Sequence, residues 1–496
     1  MNISSENITG ITEQQLTTGL NAVVKDGIMS HLMGIFTSGV FLVGIALHLG
    51  ASNFEIGLIA AIPPLSQLIQ IPAIYLIEAV NNRKKIVLAS AFISRFAWLF
   101  VALSPFLFSP SMGIIILIGA ILFQSTIGGI AGCAWNSWMR DLIPEDRMGR
   151  FFSSRLRIAT LIGIFASLIA SFVVDGWKQY VPTFTIGGYI VLFLAGFIVG
   201  MIGLFYVNKI PNIPIVPQKI KFFSLIKKPF KDKNFKRLLV FLATWSFAIN
   251  LAAPFFTVYM LKRLGLDMSG VVMMSIISQA FNFAFLGLWG KWTDHFSNKS
   301  VLAASGPIFI LCILAWTFTT LPDKYFLTIP LLIGIHILMG ISTAGITIAV
   351  GNIGLKLAPK GEGTAYLGAS TLIISLAAGI APIIGGKLAD FFSTQNLSLI
   401  LEWTGVQKSI IFRPINFSHW DFLFGLAAII GLFALHKLSL VEEKGQVDEK
   451  IVLNELMASV KRPLRSLSTG AGLLQLISYP LIVLKSKNKK EVLKAS

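Results

Sequence analysis

Charge is what this chain has least of. Only 13% of its 496 residues are charged and 55% are hydrophobic, with a mean hydropathy of +0.76. A soluble domain carries about 25% charged residues, so an ordinary globular fold in water is excluded. Cysteine is almost missing as well. Cys133 and Cys312 both lie in apolar stretches, too few for a disulfide framework or a thiolate metal site. No G-x-x-x-x-G-K-[ST] loop is present, which argues against ATP hydrolysis by this chain. Neither a His-Glu-x-x-His helix nor a His-x₄-Asp pair occurs, so the clusters expected of a membrane protease or acyltransferase are lacking. No catalytic residue, metal or cofactor is therefore expected. Residues 1–24 are polar and carry no basic region leading into a cleavage site, so a removable signal peptide is not expected.

What the chain does have is apolar runs of about 20 residues, each long enough to cross a bilayer as a helix. Twelve are centred near residues 38, 66, 96, 123, 167, 196, 248, 279, 310, 340, 376 and 430. Their length favours helices over barrel strands, which need only about 10 alternating residues. The net charge of +18 suggests a nucleic-acid partner until its placement is read. With both termini in the cytoplasm, 33 of the 41 Lys and Arg fall in cytoplasmic segments and six in external loops. Nine lie in the link from Lys209 to Arg237. That is the positive-inside pattern, so the charge sets orientation and touches anionic lipid, with no nucleic acid required. Beyond residue 440, Val441–Val460 mixes acids and bases at helical spacing. The short apolar run Leu473–Leu484 then precedes Lys485-Ser-Lys-Asn-Lys-Lys, which suggests an interfacial amphipathic tail.

The runs are organised as a duplication. Glu78-Ala-Val-Asn-Asn-Arg83-Lys84-Lys85 joins two spans, and Asp294-His-Phe-Ser-Asn-Lys299 joins two others about 216 residues later. Asn136 and Pro144 recur at nearly the same offset as Asn352 and Pro359. A fixed internal period of membrane spans points to a transporter built from repeats. The units expected are a cytoplasmic segment 1–24, a six-helix bundle 25–207, a basic linker 208–235, a second bundle 236–440 and a tail 441–496.

These loops resemble those of the major facilitator superfamily, over roughly residues 25–440. Gly290-Lys-Trp-Thr-Asp294 followed by Lys299 is similar to the family's loop signature. The first copy departs from it, with Ile74 in place of Gly and Glu78 in place of Asp. Arg140-Asp141-Leu-Ile-Pro144-Glu-Asp-Arg147-Met-Gly149-Arg150 and Gly379-Ile-Ala-Pro382-Ile-Ile-Gly385-Gly386 also look like family segments at their positions. The resemblance implies an all-α integral membrane protein of twelve helices in two pseudo-symmetric bundles of six. It also implies a cytoplasmic gate of Glu78, Arg83, Asp141, Arg147, Arg150, Asp294 and Lys299. An acid there can accept hydrogen bonds from the free N–H groups that open a neighbouring helix, where the dipole favours negative charge.

Polar groups inside spans are costly and point to function. Arg95 is the one full charge deep in an apolar run, and no acid lies in the middle of any span. It could attract a substrate anion or hold a buried network. On spans that line family cavities, the remaining candidates are Gln67, Gln70, Gln124, Trp245, Asn250, Gln279, Asn282 and His336. Amides of this kind also bond between helices. Asp26 and His31 are candidates for proton coupling. Pro63, Pro64, Pro254 and Pro382 should kink their helices. The fifth span lacks the Gly-Pro run typical of drug/proton antiporters. The expected function is movement of a small solute by alternating access, driven by an ion gradient (protons) or by the solute's own gradient. The protein would work as a monomer in a plasma membrane, the inner membrane of a bacterium. A lipid-handling or non-transporting membrane protein on the same scaffold is the alternative.

Overall fold

The computed structural model describes residues 12–213, 228–320, 324–360, 362–405, 409–447 and 451–452. Twelve helices are long and apolar enough to cross a membrane, and each expected centre falls inside one. They are α1 Glu13–His48, α2 Asn53–Val80, α3 Arg83–Leu107, α4 Pro110–Leu142, α5 Arg147–Tyr180 and α6 Gly187–Asn208. The second set is α7 Lys233–Arg263, α8 Met268–His295, α9 Asn298–Thr319, α10 Thr328–Leu357, α11 Ala365–Phe392 and α12 Trp420–Ser439. The start of α1, the end of α6, the start of α7 and the end of α12 share one side, here the linker side. The loop from α11 to α12 lies on the far side.

Local sequence explains where the helices start and bend. Ser52 and Glu55 form a reciprocal capping box at the start of α2. Asn82 caps α3 through the Lys85 N–H at 3.0 Å. Pro63 and Pro64 each remove a backbone donor, and α2 tightens into a 3₁₀ turn at Gln67–Ile69. Pro254 lies inside α7, which ends in a π-turn at Tyr259–Arg263. The sharpest interruption is in α1. Ser38 is extended and Gly39 takes a φ of +57°, so the helix stops and restarts mid-span.

Large side chains such as Trp138, Trp289, Trp316 and Phe193 are fully buried between helices, whereas Phe100, Phe165, Ile169 and Phe205 stand exposed on the outside. Water would not tolerate so much outward apolar surface, but bilayer hydrocarbon does. The chain is an integral, multi-pass membrane protein. One element was not expected from the sequence: β1 Asn396–Thr404 and β2 Ser409–Ser418 form an antiparallel hairpin between α11 and α12. The expected amphipathic run Leu473–Leu484 and half of the linker lie outside the described residues. The segment just past α12 packs back on α9, where the Val447 N–H donates to Ser300 at 2.9 Å.

Candidate functional site

The two halves are held together at the far side by two carboxylates. Asp175, near the end of α5, accepts from the N–H groups of Met268 (2.9 Å) and Ser269 (2.7 Å), which open α8. Asp390, near the end of α11, accepts from the N–H groups of Asn53 (3.1 Å) and Phe54 (2.8 Å), which open α2. Each acid thus caps a helix of the other half. The first N–H groups of a helix have no partner of their own, and the helix dipole draws negative charge to them. Each cap is worth about 1–2 kcal/mol. The two are copies: 175 to 390, 53 to 268 and 54 to 269 are all 215 residues apart.

The second cap is better supported. The Asn53 side chain also donates to Asp390 at 2.8 Å and accepts from the Trp420 indole at 3.3 Å. His419 Nε2 lies 3.3 Å from the Asn53 amide nitrogen. Burial holds the His419 imidazole down to about 4, so near neutral pH it is uncharged and can accept that proton. Around this cap α2 and α11 nearly touch. A Cβ on Gly57 would lie 2.1 Å from the Pro382 carbonyl oxygen, and one on Gly386 would lie 2.4 Å from that of Asn53. Gly379 meets the Leu65 side chain instead of backbone, and Gly385 faces α7.

The linker side is arranged differently. Arg83 pairs with Asp141 at 2.5 Å, inside the first half. Glu443 accepts from the Asn298 N–H (3.2 Å) and the Lys299 N–H (2.7 Å) and pairs with Lys356 at 3.1 Å, all inside the second half. The Lys299 amine donates to the carbonyls of Ser439 and Val441 at 3.0 and 2.6 Å. Glu78 and Asp294 are exposed and make no hydrogen bond or ion pair among the described residues. Arg147 is exposed, and the side chain of Arg150 lies outside the described residues. Arg83, Asp141 and Lys299 therefore find their partners within their own halves, not across them.

Between these ends lies the space a solute could use. A cavity of about 370 Å³ sits between α1, α5 and α8, lined by Ser30, His31, Ser38, Ser167, Ser275 and Gln279. Its far end is closed where Gly44 packs on Met268 and Tyr189. The break at Ser38 opens into this cavity, and unwound backbone at mid-span is tolerated where it lines such a space. A second cleft, of about 160 Å³, opens where α2 and α11 part below Leu65. It is lined by Gln67, Gln70, Ile74, Thr371 and Ser375.

The other candidates sit elsewhere. Trp245 is buried against Phe241 and Phe309. Asn250 bonds to the Ser246 carbonyl at 2.8 Å, and His336 is buried against Trp316. Gln124 contacts its neighbour Ser125 at 3.5 Å, and Asn282 packs at Gly340.

Arg95 is 5% exposed and Asp26 4% exposed. Ser30 bridges them, lying 3.2 Å from Asp26 Oδ1 and 3.4 Å from the Arg95 guanidinium, which also donates to the Gly200 carbonyl. Arg155 joins this group, although nothing in the sequence reading singled it out. Its Nε–H donates to the Val23 carbonyl at 3.2 Å, and its guanidinium lies 4.9 Å from the Trp135 ring. Its terminal nitrogens make no hydrogen bond among the described residues and are not sealed from the surroundings. Arg95, through Ser30, and Arg155, through space, thus act on the one carboxylate of Asp26 beside the cavity wall at Ser30 and His31.

A family model described as Major Facilitator Superfamily matches residues 27–382 and 277–484. No curated protein matches the chain in sequence. Among solved structures, a mutant form of the nucleoside transporter NupG is 14% identical, with a TM-score of 0.63 over 85% of this chain and 100% of that one. A bacterial homologue of the iron transporter ferroportin is 12% identical, with a TM-score of 0.58 over 87% and 99%. A bacterial homologue of the human lysosomal transporter Spinster is 14% identical, with a TM-score of 0.56 over 77% and 84%. At such identities the likeness concerns fold alone.

Proposed function

Because the chain belongs to the Major Facilitator Superfamily, we propose that it is a secondary transporter whose halves, residues 25–207 and 236–440, rock about the central cavity. The observation that carries this reading is the asymmetry of the ends. Carboxylates cap helices across the halves at the far side. Glu78 and Asp294 at the linker side are left without partners among the described residues. Both termini and the linker lie in the cytoplasm in this proposal, following the Lys and Arg distribution. The conformation is then the one open to the cytoplasm. In the opposite conformation Glu78 and Asp294 would take up helix starts across the closed linker side.

The cargo proposed is a small polar solute that fits about 370 Å³ and carries an anionic group. The terminal nitrogens of Arg155, open and without a protein partner among the described residues, and the two guanidiniums near the single carboxylate of Asp26 support that class. Asp26 and His31 are the proposed proton carriers. Transport, rather than catalysis, is the whole of the proposed activity.

The test is metabolite profiling of cells and medium, with wild type overexpressed against Glu78→Ala/Asp294→Ala. A solute that redistributes only with the wild type gives substrate and direction together. Equal redistribution by both proteins would overturn the gating roles, and none across a broad panel would overturn transport itself. A reporter fused at Thr404 should read as external, and a cytoplasmic signal there would reverse the orientation.

A further inference from the structure

The β1–β2 hairpin is the one part of the described chain that neither crosses the membrane nor packs into a bundle, and its pairing is ordered by polarity. Leu397, Leu399, Leu401 and Trp403 of β1 pair with Phe417, Ile415, Phe412 and Ile410 of β2. The positions between pair mostly polar with polar: Asn396 with Ser418, Ser398 with Asn416, Thr404 with Ser409. The apolar positions of β2 change phase between Phe412 and Ile415. The register shift between Leu399 and Leu401 takes up that slip, so apolar stays opposite apolar along the whole ribbon.

No other part of the described chain covers the apolar residues of β1. Leu397 is 58% exposed, Leu399 49%, Leu401 52% and Trp403 78%. A two-stranded ribbon alone in water is marginally stable, and one with a bare apolar face needs a second layer.

We propose that this second layer is lipid: the hairpin lies along the far-side surface of the bilayer with Leu397, Leu399, Leu401 and Trp403 facing the membrane. Continuity with the lipid-facing surface supports it. The hairpin joins the far end of α11 to the far end of α12, where the two apolar spans stop. Phe417 at its root packs 6.4 Å from Phe422 of α12, which stacks 4.9 Å from Phe392 of α11. Phe391, beside it, is exposed on the outside of the bundle. The apolar face thus continues the surface that already meets hydrocarbon, with aromatic residues at the join. Trp403 near the tip is the residue type that settles at a membrane interface. Both edges of the ribbon carry unpaired backbone groups, which keeps it among headgroups, about 5–10 Å deep, and out of the hydrocarbon core. The strands carry one acid, Glu402, and one base, Arg413. Burial of apolar surface, not charge, therefore drives the contact, and neutral lipid suffices.

The experiment uses the full chain with Cys133 and Cys312 replaced, in phosphatidylcholine nanodiscs. Spin labels go on Leu399→Cys, Leu401→Cys and Trp403→Cys and, in separate proteins, on Ser398→Cys, Glu402→Cys and Thr404→Cys. Accessibility to oxygen, which concentrates in lipid, is compared with that to a water-soluble nickel chelate. The expected result alternates with a period of two. The first three positions favour oxygen and the second three favour the chelate, each by severalfold. If all six favour the chelate, the hairpin stands free in water and the proposal falls. It falls equally if the first three are shielded from both reagents, because protein then covers them. Cross-linking between chains at Leu401→Cys would identify that protein as a second copy.

Discussion

The two ends of the molecule carry the same kind of chemistry and use it in opposite ways. At the far side, Asp175 and Asp390 sit on helix starts in the other half. At the linker side, Glu443 sits on the start of α9 in its own half, and Asp141 holds Arg83 in its own half. A carboxylate on a helix N-terminus is a local stabiliser when both belong to one rigid body and a latch when they do not. Motif type does not decide which of these a residue does. The partner's address does.

The comparison can be broken by removing the latches. Asp175→Ala with Asp390→Ala should weaken far-side closure by about 2–4 kcal/mol, roughly 30- to 1,000-fold in the equilibrium. Spin labels at Tyr180→Cys and Phe326→Cys, exposed on opposite halves, would read it. A second, longer distance should appear in the double mutant, and an unchanged distribution would mean that packing alone keeps the far side shut. A smaller effect, about 1–3 kcal/mol, is expected from Gly57→Ala, whose Cβ would meet the Pro382 carbonyl oxygen at 2.1 Å. Gly290→Ala is the matched linker-side control, because its Cβ would meet nothing closer than 3.8 Å. If the two substitutions shift the same distances equally, the contrast between the ends is wrong.

A third effect, confined to acidic conditions, is expected from pH. His419 is held down to about 4 by burial, against an ordinary value of 6.5. The closed state therefore prefers the neutral ring, and an opened state that rehydrates it would bind a proton more readily. Closure should be constant above about pH 7 and weaken between 6.5 and 4. His419→Gln should flatten that profile in the same distance measurement.

Much of the fold is legible in the sequence. Twelve apolar runs became twelve helices because span length and backbone satisfaction in lipid leave few alternatives. The kink after Pro63-Pro64 also follows from covalent structure. The break at Ser38–Gly39 does not, since both residues occur in unbroken transmembrane helices. The hairpin was readable in part. Leu397-Ser-Leu-Ile-Leu-Glu-Trp403 alternates as a strand does, but it lies between two apolar spans and reads as a loop. Among candidate residues, His31, Gln67, Gln70 and Gln279 line open space. Trp245 and His336 went into the second bundle's core, because a polar atom in a span says nothing about which face it occupies. Asp175 and Asp390 were not among the sequence candidates. Only their shared 215-residue offset, the period already visible in the loops, could have marked them.

That offset has a consequence for ancestry. Each half supplies one carboxylate and one receiving helix, which is what an isologous two-fold interface demands of a single chain. A six-helix protein of half this length would close against its own copy through two identical latches, and every change to one would be made to both. Joining the copies in one chain releases that constraint. The latch at Asn53, with its side-chain amide, Trp420 and His419, has acquired partners that the one at Met268 does not share. Fusion let two equal locks become unequal.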